Sequence, residues 1–173
     1  MVVPFDTAAA GPVVNDTYFG KVPPSRLAVR REAGYVLFKC DGELRSKIGV
    51  GPDRAKEVLG SYSDSDRLLT IVHFDKPRGA GDYVNSMWET QERPYGGDVV
   101  NSYNDGPPAP GAKPLGPFYE LETSSPAAAL APGAKLMHRH RTLHLVGDRN
   151  GLDAVARKTL GVGLDAIEAA FSP

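Results

Sequence analysis

Apolar residues in this chain come in short runs that alternate with polar ones, and glycine and proline cut the runs apart. "LAVRR" and "YVLFKC" flank an "EAG" turn and predict a hairpin. "LRSKIGV" (44–50), "RLLTIVHF" (67–74), "DYVNSMWE" (82–89), "DVVNSYN" (98–104), "PFYELETS" (117–124) and "KLMHRHRTLHLVG" (135–147) read as further strands, rich in β-branched and aromatic residues between turn-formers. "DYVNS" and "DVVNS" echo each other around "RPYGG" and read as two strands of one hairpin. The segment "NDGPPAPGAKPLGP" (104–117) is a Pro/Gly-rich loop, long enough to carry function. The period changes at the C-terminus. Leu152, Val155 and Ala156, then Leu164, Ile167 and Phe171, have helical spacing and predict two short helices. The expected fold is mainly β: one domain over 1–173, an antiparallel β-sandwich or open barrel, with a helical tail at 150–173.

Composition narrows the partners. A net charge of -1 gives no general attraction to nucleic acid or an anionic membrane, and no apolar run is long enough to span a bilayer. The start, "MVVPFDTAAAGP", lacks the basic and apolar regions of a signal peptide, so the expected location is cytoplasmic. The single cysteine, Cys40, excludes an intramolecular disulfide and reads as a small buried residue. No Walker loop or dinucleotide fingerprint is present, so no nucleotide cofactor is expected.

Three of the four histidines lie in "MHRHRTLH". Strand alternation puts His138, His140 and His144 on one face and Arg139, Arg141, Leu143 and Leu145 on the other. His138 and His140 are then about 7 Å apart, while His144 lies about 13 Å further along the strand. His138 and His140 are the candidate metal ligands, with His144 secondary and His73 offered from a neighbouring strand. The expected cofactor is one divalent ion, Zn, Fe, Mn, Cu or Ni ahead of Ca. The competing reading is a solvated amphipathic strand.

The same alternation groups Phe118, Glu120 and Glu122. Two carboxylates at i and i+2 perturb each other and suit acid–base work, with His138 and His140 as partners if the two faces coincide. Asn85 and Asn101 offer amides that both donate and accept, which suits sugar hydroxyls. Tyr103, with Tyr95, offers an exposed platform, and Arg139 completes the candidate substrate contacts. Trp88, the only tryptophan, is expected in the core. Oxygen-rich "YGGDVVNSYNDGPP" lacks the spacing of an EF-hand loop.

Two resemblances add to this. "PGAKLMHRHRTLHLVG" resembles the first cupin motif, but His144 stands where cupins have a carboxylate and no second motif follows. "GDVVNSYNDGPPAPGAKPLGPFYELETSSPAAALAPGAKLMHRHRTLHLVGD", with "NDTYFGKVP" and "RSKIGV", resembles an uncharacterised bacterial family of larger proteins, related in fold to the galactose-mutarotase-like β-supersandwich. The resemblance implies that this chain corresponds to a C-terminal half. Half a supersandwich leaves sheet edges uncovered, which implies a homodimer. It also implies a sugar as substrate class, and it maps no catalytic residue onto this sequence. Three functions follow as expectations. The chain is an enzyme on a small oxygen-rich ring (a sugar or lactone), using His/Glu acid–base chemistry or metal-assisted hydrolysis, or a carbohydrate-binding module without chemistry, or a structural association domain.

Overall fold

The computed structural model describes residues 1–79 and 81–171. Nine strands form two antiparallel sheets: β1 (Val2–Pro4), β2 (Leu27–Arg30), β3 (Tyr35–Phe38), β4 (Ser46–Val50), β5 (Val58–Ser63), β6 (Leu68–Phe74), β7 (Val100–Asn104), β8 (Glu122–Thr123) and β9 (His140–Val146). Two helices follow, α1 (Arg149–Leu160) and α2 (Leu164–Ala169). The larger sheet runs β2-β3-β1-β5-β6-β9 and the smaller β4-β7-β8. The sheets stack as a sandwich and close no barrel.

Alternation along the larger sheet explains the layers. Val3, Val36, Phe38, Leu59, Val72 and Phe74 point to one side and pack on Ile48, Val50 and Val100 of the small sheet. Val2, Leu37, Leu69 and Ile71 point to the other side and pack on Leu152, Ala156, Leu160 and Leu164. A strand buried on both faces must be apolar at nearly every position, as "VVP" and "LLTIVHF" are. Helix α1 has an Asp148 N-cap, whose side chain accepts from the Gly151 N–H, and ends at Gly161 in the left-handed conformation.

The structure departs from the expected elements in several places. Residues 82–86 form no strand with 98–102. Instead Tyr83 and Asn85 exchange backbone hydrogen bonds with residues 94–97, so the echo is not a hairpin. The strand read at 117–124 is regular only at β8, and the one at 135–147 only from His140. Strands β1 and β5 were not predicted. In β5, glycine and serine mask the strand, and Gly60 is there for space. A Cβ on it would sit 2.6 Å from the Thr70 carbonyl oxygen and 2.9 Å from Leu160 Cδ1.

Strand β9 is the sheet edge, and most of it is exposed. Val146 is 75% and nearby Met137 72% accessible. Among the described residues no helix is long and apolar enough to cross a membrane.

Gly60→Ala should overpack the contact between β5 and α1 and cost roughly 1–3 kcal/mol. Urea unfolding followed by circular dichroism checks this, with a lower midpoint and an unchanged slope expected.

Candidate functional site

The outer face of the small sheet carries alternate residues of its three strands. Lys47 pairs with Tyr103 and Gly49 with Asn101 across β4 and β7, and Asn101 pairs with Glu122 across β7 and β8. The Glu120 N–H donates to the Tyr103 carbonyl (2.8 Å), so Glu120 lies beside Tyr103. Lys47, Asn101, Tyr103, Glu120 and Glu122 therefore share one face. Chain 15–19 and residues 86–88 border it, bringing Asn15, Tyr18, Phe19 and Trp88.

Close backbone approach sets the floor of this site. A Cβ on Gly49 would fall 2.0 Å from an Asp98 carboxylate oxygen, so only glycine admits Asp98 here. The Tyr18 hydroxyl donates to Asp98 (2.5 Å), as does the Asn15 amide (3.3 Å). Burial still raises the Asp98 carboxyl above the ordinary range, against the lowering effects of Tyr18, Asn15 and Lys47. Burial, then the Asp98 charge, pushes the Tyr18 phenol far up as well.

Lys47 Nζ donates to Glu122 (3.0 Å) and lies 5.4 Å from the Tyr18 ring centre. Glu120 sits beside Glu122. Burial raises its carboxyl first, and the Glu122 charge and a hydrogen bond to Glu122 raise it further, opposed by Lys47. Two polar atoms in this cluster are buried with no partner, Asn101 Oδ1 and Glu122 Oε1. Buried polar atoms are ordinarily paired, so the two oxygens are exceptions to the rule.

Aromatic rings form the rim. Phe19 meets Trp88 edge-on (5.8 Å, 87°) and Tyr103 at 5.7 Å, and Tyr103 lies 5.9 Å from Phe118. These rings, with Arg45, Lys47 and Glu120, line a cleft of about 200 Å³. Trp88 is 84% exposed, which corrects its expected place in the core.

The histidines lie elsewhere. Thr123 follows Glu122 and points to the opposite side of β8, toward the open end of the sandwich. Its Oγ1 is 2.9 Å from His138 Nε2 and 2.8 Å from His140 Nδ1. The expected pair is thus brought together, but not on the glutamate face. Burial, then the charge of His138, lowers the His140 pKa. His144 bonds the Thr70 hydroxyl (3.0 Å) further along the edge. His73 pairs with Arg141, whereas Phe74 pairs with His140, so His73 lies on the other face of the sheet and does not join the pair. Among the described residues no three His, Cys, Asp or Glu side chains are grouped to hold a metal. A larger hollow of about 560 Å³ at this end is lined by His138, His140, His73 and Glu57.

The remaining candidates separate in the same way. Asn101 and Tyr103 are in the outer-face cluster. Asn85 is not, because its Oδ1 accepts from the Met87 N–H in a local turn. Arg139 pairs with Asp75 (3.1 Å) at the exposed edge. Asn104 and Asp105 bind loop backbone: Asn104 bonds Gly42 and Leu44, and Asp105 accepts from the Tyr103 hydroxyl and Gly116 N–H. Cys40 is half-buried against the core, and burial raises its thiol pKa.

The architecture defines a β-sandwich protein with a helical layer and a polar, aromatic-rimmed outer sheet face. Over residues 1–171 the chain matches the model of DUF6786, a family of unknown function, and it belongs to that family. No curated protein and no solved structure matches it.

Tyr18→Phe should raise the Asp98 carboxyl pKa still further, because it removes a donor that lowers it. Carboxyl carbon NMR titration of wild type and variant checks the direction.

Proposed function

We propose that this chain is an enzyme that transfers protons on a small oxygen-rich ring, a sugar or a lactone, bound on the outer face of the small sheet. The observation that carries the reading is Glu120 in the wall of the aromatic cleft, with Glu122 beside it and paired to Lys47. Two carboxyls in one site with different environments divide naturally into an acid and a base. Glu120, raised by burial and by its neighbour, keeps a proton to higher pH than a free glutamate and is the acid. Glu122, ion-paired to Lys47, is the base. Trp88 and Phe118, in the cleft wall, face the apolar side of the ring. The histidine pair has no part in this chemistry, since it lies across the sheet.

The experiment is a panel of aldoses and lactones, with anomer exchange followed by NMR and lactone opening by pH-stat. Acceleration over buffer is expected, with Glu120→Gln and Glu122→Gln each losing about 100-fold or more. The rate should fall as pH climbs through the raised Glu120 pKa. In Glu122→Gln the neighbouring charge is gone, so Glu120 should titrate lower. Sugar binding with no acceleration at any pH would replace the enzyme by a non-catalytic carbohydrate-binding module.

The exposed β9 edge favours a second property, association of two copies. Antiparallel pairing of β9 with itself about Leu143 sets Arg141 against Leu145 rather than against another cation. Light scattering should then give a mass that rises with concentration from 18.5 kDa toward twice that value. Leu143→Lys should hold the chain as a monomer, and a concentration-independent 18.5 kDa for wild type excludes the pairing.

A further inference from the structure

Arg45 stands just before β4, and its guanidinium lies over the Phe19 ring (4.4 Å) and within 5.5 Å of the Trp88 ring centre. Other half-buried cations in this chain have oxygen acceptors. Arg26 pairs with Asp41, Lys47 with Glu122, and Arg54 donates to the carbonyls of Asp6, Gly11 and Pro12. Arg45 forms no ion pair among the described residues; its Nε is buried with no acceptor, as is that of Arg26, but Arg26 has Asp41 on its terminal nitrogen. The polar neighbour of Arg45 is the Tyr103 hydroxyl, which is itself donated to Asp105. Desolvating a guanidinium against aromatic faces without an anion costs free energy unless a ligand supplies one.

Position makes this specific. Ser46 pairs with Asn104, so Arg45 falls on the β4 side of β7 beside Asp105, whose two carboxylate oxygens are taken by the Tyr103 hydroxyl and the Gly116 N–H, while Glu120 lies on the β8 side. Tyr103 is between them, and Arg45, Tyr103 and Glu120 line the same cleft of about 200 Å³. A single ring lying across Tyr103 meets Glu120 at one end and Arg45 at the other.

Resting on the reading of this face as a sugar or lactone site, we infer that its ligand is an anionic ring, a sugar acid whose carboxylate is held by Arg45. The planar guanidinium presents parallel N–H donors that match a carboxylate. Lys47, the other cation of the cleft, is already paired with Glu122, so one guanidinium is left for the ligand, which suits a carboxylate better than a phosphate dianion.

The test is isothermal titration of the full chain with galacturonate and glucuronate, against galactose, glucose and galactose 6-phosphate. Each uronate should bind at least ~10-fold more tightly than its neutral parent. In Arg45→Gln the two affinities should converge, and Arg45→Lys should restore part of the difference. A melting curve for each variant shows that it is folded. The inference is overturned if neutral sugars bind as tightly as uronates, if the phosphate binds more tightly than galacturonate, or if the preference survives in Arg45→Gln. Neutral sugars binding without a uronate preference would sink this inference alone, whereas no binding by any of the five would sink the ring-binding reading with it.

Discussion

The central strands of the six-stranded sheet are apolar on both faces, and the other layers are arranged to cover them. Val2 and Val3 are adjacent in sequence, yet one enters the core beneath the helices and the other the core between the sheets. Burial of both faces removes far more apolar area from water than one face could. It requires a cover on each side, and the chain supplies helices on one and β4-β7-β8 on the other. The small sheet is thereby committed on its inner face to Ile48, Val50 and Val100, and its outer face is left free for polar chemistry.

That outer face holds more polar groups than its own stability explains. Tyr18, Asn15 and Asp98 form a staple that ties the N-terminal loop to the sheet, and a structural role accounts for their hydrogen bonds. The unpaired Asn101 and Glu122 oxygens and the unpaired Arg45 nitrogen do not fit a staple. Neither does a carboxyl held beside another carboxyl when a neutral residue would cost less. Features that are poor for folding, set on one sheet face in and beside the aromatic cleft, are what the proposed binding role of that face would explain.

Much of the architecture was legible in the sequence because alternation is a local property. Strands β2, β3, β4, β6 and β7 and both helices follow from periodicity and turn chemistry. Strand β5 was hidden because Gly60 and two serines lower its propensity, and the reason for the glycine, contact with Leu160, comes from a helix about 100 residues later. The site divides similarly. Glu120, Glu122, Asn101 and Tyr103 could be found on their own strands. Tyr18, Lys47, Asp98 and Arg45 could not, because non-local pairing brings them there. The histidines stand out by their density, but density says nothing about which side chain of the facing sheet meets them, and here it is Thr123 rather than Glu122.

The separation of acids from imidazoles rests on the parity of one dipeptide. Glu122 looks outward to Lys47 and Thr123 inward to His138 and His140. A one-residue slip of this segment would exchange the two and dismantle the carboxylate pair. Strand β8 has only two regular residues, too few to fix a register alone. The register is pinned from both ends: Asp105 N–H donates to the Phe118 carbonyl, Glu120 N–H to Tyr103, and Ser124 N–H to Val99. The buried Ser102 hydroxyl adds a bond to the Glu120 carbonyl (2.8 Å), fixing the backbone of the acid itself. The long Pro/Gly-rich loop before it cannot set that register, so side-chain and backbone bonds to β7 must. The chemistry proposed for the outer face is therefore a consequence of β7, the central strand of the small sheet, holding an irregular neighbour in one alignment.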